Sequence, residues 1–160
     1  MADWYVLNAR DCPWVEGDKT GLFVGFEDEE NNPFPQLGVN VRILRPGQAI
    51  GMYHREEGQE DFLVLDGEGI AVVESEERPL RKWDVLHCEP GVAHMIKATG
   101  DRPLLLVCAG ARPGEPTTYV PDETARRHGI SVDEETTDNR AVYADYRFAW
   151  TEYQDGWLPE

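Results

Sequence analysis

Residues 46–97 read PGQAIGMYHREEGQEDFLVLDGEGIAVVESEERPLRKWDVLHCEPGVAHMIK. Metal-ligand residue types bracket this stretch, with His54, Glu56 and Glu60 at its front and His94 near its end. Strand spacing puts residues two apart on one face, so a strand over 50–56 points His54 and Glu56 the same way, with Met52. Gly58 supplies a turn and Glu60 opens the next strand, DFLVL. A hairpin is expected to bring Glu60 back beside His54 and Glu56. Glu60 shares its face with Phe62 and Val64, so the polar cluster runs into apolar surface, as in a small-molecule pocket. His94 follows a Pro90-Gly91 turn, and nothing local places it beside His54. Two histidines and two carboxylates gathered in this way would hold one divalent metal. His54, Glu60 and His94 make a two-histidine, one-carboxylate set of the kind that suits non-haem iron. Glu56 is a fourth ligand, a general base, or an exposed member of the acidic REEGQED run.

The rest of the chain supplies further short strands. GLFVGFED (21–28) and LGVNVRILR (37–45) read as strands, the second alternating Leu37, Val39, Val41 and Ile43 against Gly38, Asn40 and Arg42. GIAVVES (69–75), 85–88, 95–99 and 103–109 follow, with residues 76–79 read as an exposed turn. Many short strands at regular spacing imply a sandwich or barrel. Residues 27–36 read as a solvated acidic loop, and 111–121 as a Pro/Gly-rich linker. A short helix is expected after Asp122, stopped by Gly129, and a second over 137–146.

These motifs resemble those of the cupins. The first cupin motif is commonly written G, five residues, H-x-H, three or four residues, E, six residues, G. Here His54-Arg55-Glu56, three residues, Glu60, six residues and Gly67 follow that spacing, with Glu56 in place of the second histidine. The second motif ends P-x-G-x-x-H, three residues, N. Gly91 and His94 match it, whereas Glu89 and Ala98 stand where its proline and asparagine would, and Trp83 stands at its opening glycine. The resemblance covers about residues 38–110. It implies an all-β fold, a cupin double-stranded β-helix or jelly-roll barrel, with a short C-terminal helical appendage. The organisation expected is an N-terminal arm and first strand over 1–36, the barrel core over 37–110, and an appendage over 111–160 packed on the same domain. The resemblance also implies one divalent transition metal (Fe, Mn, Zn or Ni), held by His54, Glu60 and His94 with Glu56 as a possible ligand. The function expected is that of a small-molecule enzyme, an oxygenase or an isomerase/lyase, acting on an organic acid or sugar. The alternative is a non-catalytic or metal-free binding module. Fold alone does not separate the two.

Composition narrows the partners. The chain has 160 residues and a net charge of −16, from 15 basic and 31 acidic side chains. Nucleic-acid binding draws its affinity from neutralising phosphates, so no nucleic-acid partner is expected, nor an anionic membrane surface. No apolar run reaches the length of a membrane span, and the first residues lack the pattern of a secretory signal. Cys12, Cys88 and Cys108 lack C-x-x-C spacing and read as free thiols. These features suggest a cytoplasmic protein. The aromatic residues of both termini suggest packing on the barrel or across a homodimer. No serine lies in G-x-S-x-G, and no nucleotide-binding loop occurs. His87 reads as a core or supporting histidine, and His128 as a helix C-terminal residue facing the dipole.

Overall fold

Valine, leucine and isoleucine at alternating positions favour pleated, half-buried strands, and these runs fold as two antiparallel sheets packed face to face. The computed structural model describes residues 4–27 and 34–160. Most of the expected acidic loop over 27–36 therefore lies outside the described residues. The strands are β1 (Trp14–Gly17), β2 (Gly21–Gly25), β3 (Leu37–Leu44), β4 (His54–Arg55), β5 (Glu60–Asp66) and β6 (Glu68–Val73). They continue as β7 (Glu76–Arg81), β8 (Val85–Cys88), β9 (His94–Ala98), β10 (Leu104–Ala111), β11 (Thr118–Tyr119) and β12 (Phe148–Thr151). The larger sheet runs β12-β1-β2-β3-β10-β5-β8 and the smaller β11-β4-β9-β6-β7. The expected all-β jelly-roll architecture is the one observed.

Between the sheets lies a core of Leu44, Phe62, Val64, Ala71, Leu80, Ile96, Leu104 and Leu106. A second apolar layer covers the outer face of the larger sheet. There Trp14 is fully buried with Leu22, Val24, Ile43 and Leu105, and its ring meets Trp157 at 5.4 Å and Tyr153 at 6.3 Å. β3 is therefore covered on both faces. Val41 and Ile43 face this outer layer, and Asn40 and Arg42 face the space between the sheets.

Several expectations are corrected. Residues 76–79 are not a turn. They belong to β7, and the turn is Glu74-Ser75, both left-handed with φ of 47° and 68°. Paired positive φ values are what a two-residue hairpin requires. Pro79 is tolerated because β7 is the outermost strand of its sheet. The 111–121 linker contains β11, which pairs with β4. Of the second helix only Asn139–Val142 forms, and β12 follows it to pair with β1. The first helix, α1 (Glu123–Arg127), forms as expected. The Asp122 side chain accepts from Ala125 N at 2.7 Å, and Gly129 turns the chain with φ +73°.

Two turn positions account for the motif glycines. Gly67 has φ +81°, and a Cβ there would sit 2.3 Å from the Pro103 carbonyl oxygen. Trp83 has φ +76°, so the place where the motif has glycine is a left-handed position here too.

Candidate metal centre

The two histidines are brought together by strand register. His54 on β4 pairs directly with His94 on β9, and Tyr119 on β11 pairs with His54 from the other side. Paired residues share a face, and the two imidazoles lie with centroids 5.0 Å apart. Glu60 reaches them from the other sheet. It pairs with Gly110 and Cys88 in the larger sheet, so His54 and Glu60 meet across the sandwich. This corrects the expected hairpin, because β4 and β5 belong to different sheets and residues 56–59 cross between them. The strand expected over 50–56 is likewise only the pair His54–Arg55.

His94 Nε2 lies 3.1 Å and His54 Nε2 3.7 Å from Glu60 Oε2. One ligand atom from each of the three residues falls within 4.8 Å of the others. His54 Nδ1 lies 2.8 Å from the Met52 carbonyl, and His94 Nδ1 3.0 Å from that of Val92. A carbonyl only accepts, so each Nδ1 carries the proton and each Nε2 presents its lone pair to the centre. That is the usual outer support of a metal-binding histidine. His94 is 1% exposed. Its Nε2 and Glu60 Oε2 are both buried without a hydrogen-bond partner. Unpaired buried polar atoms are costly, and here they converge. A divalent transition ion accepting two nitrogens and one oxygen fits this donor set.

The electrostatics follow from the same contacts. Burial disfavours the Glu60 carboxylate, but the close approach and charge of His54 and His94 outweigh it and hold Glu60 down at about 2. Burial likewise opposes the charged form of His94, and contacts with Cys88 and Glu60 raise it to about 9. His54 is raised in the same sense, against burial, by Glu60 and the Met52 carbonyl. Without metal, His94 keeps a proton at neutral pH in the place of the cation.

Glu56 is brought near but stands outside this three-residue set. Its Oε1 is 3.6 Å from His54 Nε2 and accepts a hydrogen bond from Thr117 Oγ1 at 2.8 Å. Arg55 and Tyr53 point away, as expected: Arg55 pairs with Glu135 at 3.4 Å, and the Tyr53 hydroxyl accepts from Ser75 N. His87 is not a core residue. It is exposed on the outer face, with Nδ1 2.7 Å from Asp61 and Nε2 3.3 Å from Glu89. His128 caps α1, but its ring turns to Glu77 at 2.8 Å.

A cavity of about 190 Å³ adjoins the centre. His54, Glu56 and Glu60 line it together with Asn40, Arg42, Thr117, Tyr119 and Tyr143. Sequence reasoning missed these last five. The alternation of β3 marks Asn40 and Arg42 as one polar face, and the structure shows that this face turns inward. Cys108 also lines the cavity, where burial pushes its thiol up to about 12 and keeps it protonated. All three cysteines are free and buried, as expected for Cys88 and Cys108.

Residues 40–110 match the sequence family described as the cupin domain. This part of the chain has the cupin fold. Solved structures share the fold. A cupin 2 domain-containing protein from Halorhodospira halophila superposes with TM-score 0.56 at 19% identity, covering 67% of this chain and 74% of that one. A predicted oxalate decarboxylase from Thermotoga maritima gives 0.56 at 21% identity, covering 67% and 98%. A putative sugar phosphate isomerase from Acidithiobacillus ferrooxidans gives 0.52 at 21% identity, covering 61% and 63%. No curated protein matches the sequence.

Proposed function

We propose that this cupin is a metal-dependent enzyme acting on a small organic molecule, by isomerase/lyase-type or oxygenase chemistry. The observation that carries the reading is the convergence of two unpartnered buried atoms, Glu60 Oε2 and His94 Nε2, with His54 Nε2 at the edge of a cavity. His54, Glu60 and His94 would hold one divalent ion, Fe, Mn, Zn or Ni. When bound, such an ion polarises a substrate oxygen. The chain's own residues do the rest. The Met52 and Val92 carbonyls fix the tautomers of the two histidines. Glu56, oriented by Thr117, is the general base that takes a proton from substrate in the cavity. The buried Phe62 ring, 5.4 Å from the His94 ring, shields that side of the centre from water.

Elemental analysis of untagged protein tests the reading. It should return one divalent ion per chain, lost in His54→Ala and in His94→Ala. Protein that takes up none of zinc, manganese, iron, nickel or copper would sink the enzyme reading and leave a metal-free binding module. The replacement of a motif histidine by Glu56 favours that second reading.

A further inference from the structure

Arg42 lines the cavity with no carboxylate at ion-pair distance among the described residues. Its Nε donates to Asn40 Oδ1 at 3.2 Å and its Nη1 to the Ile50 carbonyl at 3.3 Å, while the guanidinium lies 4.9 Å from the centre of the Phe23 ring. No carboxylate pairs with it among the described residues. Arg55, the other half-buried arginine, is paired with Glu135. Arg10, Arg81, Arg140 and Arg147 also lack a carboxylate partner there, but all four are exposed. With 31 acidic residues in the chain, a carboxylate was available for this position. A guanidinium kept in a confined cavity and left unpaired is poised for an anion from outside.

Register fixes where that anion would lie. Arg42 pairs with Leu106, and Glu60 with Gly110, on strands either side of β10. The two residues are thus separated by two strands and two side-chain rows on one face, roughly 16 Å between Cα positions by sheet spacing. Arg42 and Glu60 therefore enter the lining of one cavity from separate positions on the larger sheet.

We infer that Arg42, braced by Asn40, is a carboxylate-binding subsite, and that the cavity takes a small organic acid. Its carboxylate sits on Arg42 while a second oxygen faces His54, Glu60 and His94. The inference rests on the reading of this cavity as a small-molecule site, and it selects acids over neutral sugars. A planar carboxylate suits the fork of a guanidinium. Inorganic phosphate is more compact than a dicarboxylate and, seated on Arg42, presents no second oxygen across to His54, Glu60 and His94, so it suits the cavity less.

The test is calorimetric titration of malonate, neutral malonamide and inorganic phosphate into wild type, Arg42→Met and Arg42→Lys, each metal-free and loaded with manganese(II) or zinc(II). Metal content and melting temperature are recorded for every sample. Malonate should bind wild type at least tenfold more tightly than malonamide or phosphate. Arg42→Met should lose at least tenfold in malonate affinity with metal content unchanged, and Arg42→Lys, which keeps the charge but not the fork, at least threefold. If Arg42→Met does not fold, Arg42→Lys alone decides. Absence of malonate binding by wild type, equal binding by the variants, or preference for phosphate would overturn the subsite. Loss of the metal reading looks different: no stoichiometric ion, with malonate binding to metal-free protein still dependent on Arg42.

Discussion

Glu60 Oε2 lies 3.1 Å from His94 Nε2 across the gap between the two sheets, and neither atom has an aligned hydrogen-bond partner among the described residues. A cation bound by both atoms would tie the two sheets together. Metal at a hundred times its Kd should therefore stabilise the fold by about 2.7 kcal/mol. For a chain of this size that is a rise of roughly 5–10 °C in Tm. Glu60→Gln and His94→Ala should abolish the rise in differential scanning fluorimetry. An unchanged rise in both variants would remove these residues from the ligand set.

The pH dependence has a defined sign. The folded value of His94, about 9, lies above its ordinary 6.5, so its stabilising contribution is full below pH 6.5 and is lost as pH rises through 9. Glu60 is held at about 2 against an ordinary 4.5, so its contribution is present above pH 4.5 and is lost as pH falls toward 2. Metal-free protein should lose stability between pH 6.5 and 9. Metal competes with the same protons, so the metal-induced rise in Tm should grow over that interval. A rise that shrinks with increasing pH would contradict the assignment.

Glu56 is separable from the ligands. Glu56→Gln should leave metal content unchanged and lower turnover about 10²- to 10⁴-fold, the range for loss of a general base. Thr117→Val should act in the same direction more mildly, since it removes only the bond that orients Glu56. Loss of metal in Glu56→Gln would make Glu56 a ligand instead.

The left-handed turns make a contrasting pair. Gly67→Ala drives a Cβ into the Pro103 carbonyl at a positive φ and should cost about 2 kcal/mol or more. Trp83 is already a bulky residue at φ +76° and is 68% exposed. Trp83→Gly should therefore stabilise by about 0.5–1 kcal/mol, the αL strain relieved less the entropy of glycine. Urea denaturation of both variants reads the two signs directly.

Assembly is testable at the edge of the larger sheet. β12 is the outermost strand there, and Trp150 on it is 76% exposed. Light scattering should give twice the 18.1 kDa of one chain, and Trp150→Glu should return it to one. A wild-type monomer at micromolar concentration would exclude the dimer.

The spacing of His54, Glu60, Gly67, Gly91 and His94 carried the resemblance to the cupins, and through it the fold and the three candidate ligands. The route by which Glu60 reaches His54 was not legible. Period-two alternation says which face a side chain takes, but not which sheet its strand joins. For the same reason Arg42 was placed on a polar face whose location stayed unknown until β3 was seen to be covered on both sides. Thr117 and Tyr119 were hidden in a proline-flanked segment too short to register as a strand. Trp83 shows the converse case, a backbone demand for glycine that the sequence did not meet.

β4 is only two residues long and is held between β9 and β11. Half of the pairing that positions His54 thus comes from a segment that follows the barrel in the chain. Occupancy of the centre and docking of residues 112–120 must then be reciprocal: whatever grips His54 draws that segment in, and whatever peels it away loosens the grip by the same free energy. Cleavage by a protease between Arg112 and Pro116 would act as an off-switch for the metal centre, and a loaded centre would protect that stretch from being cut.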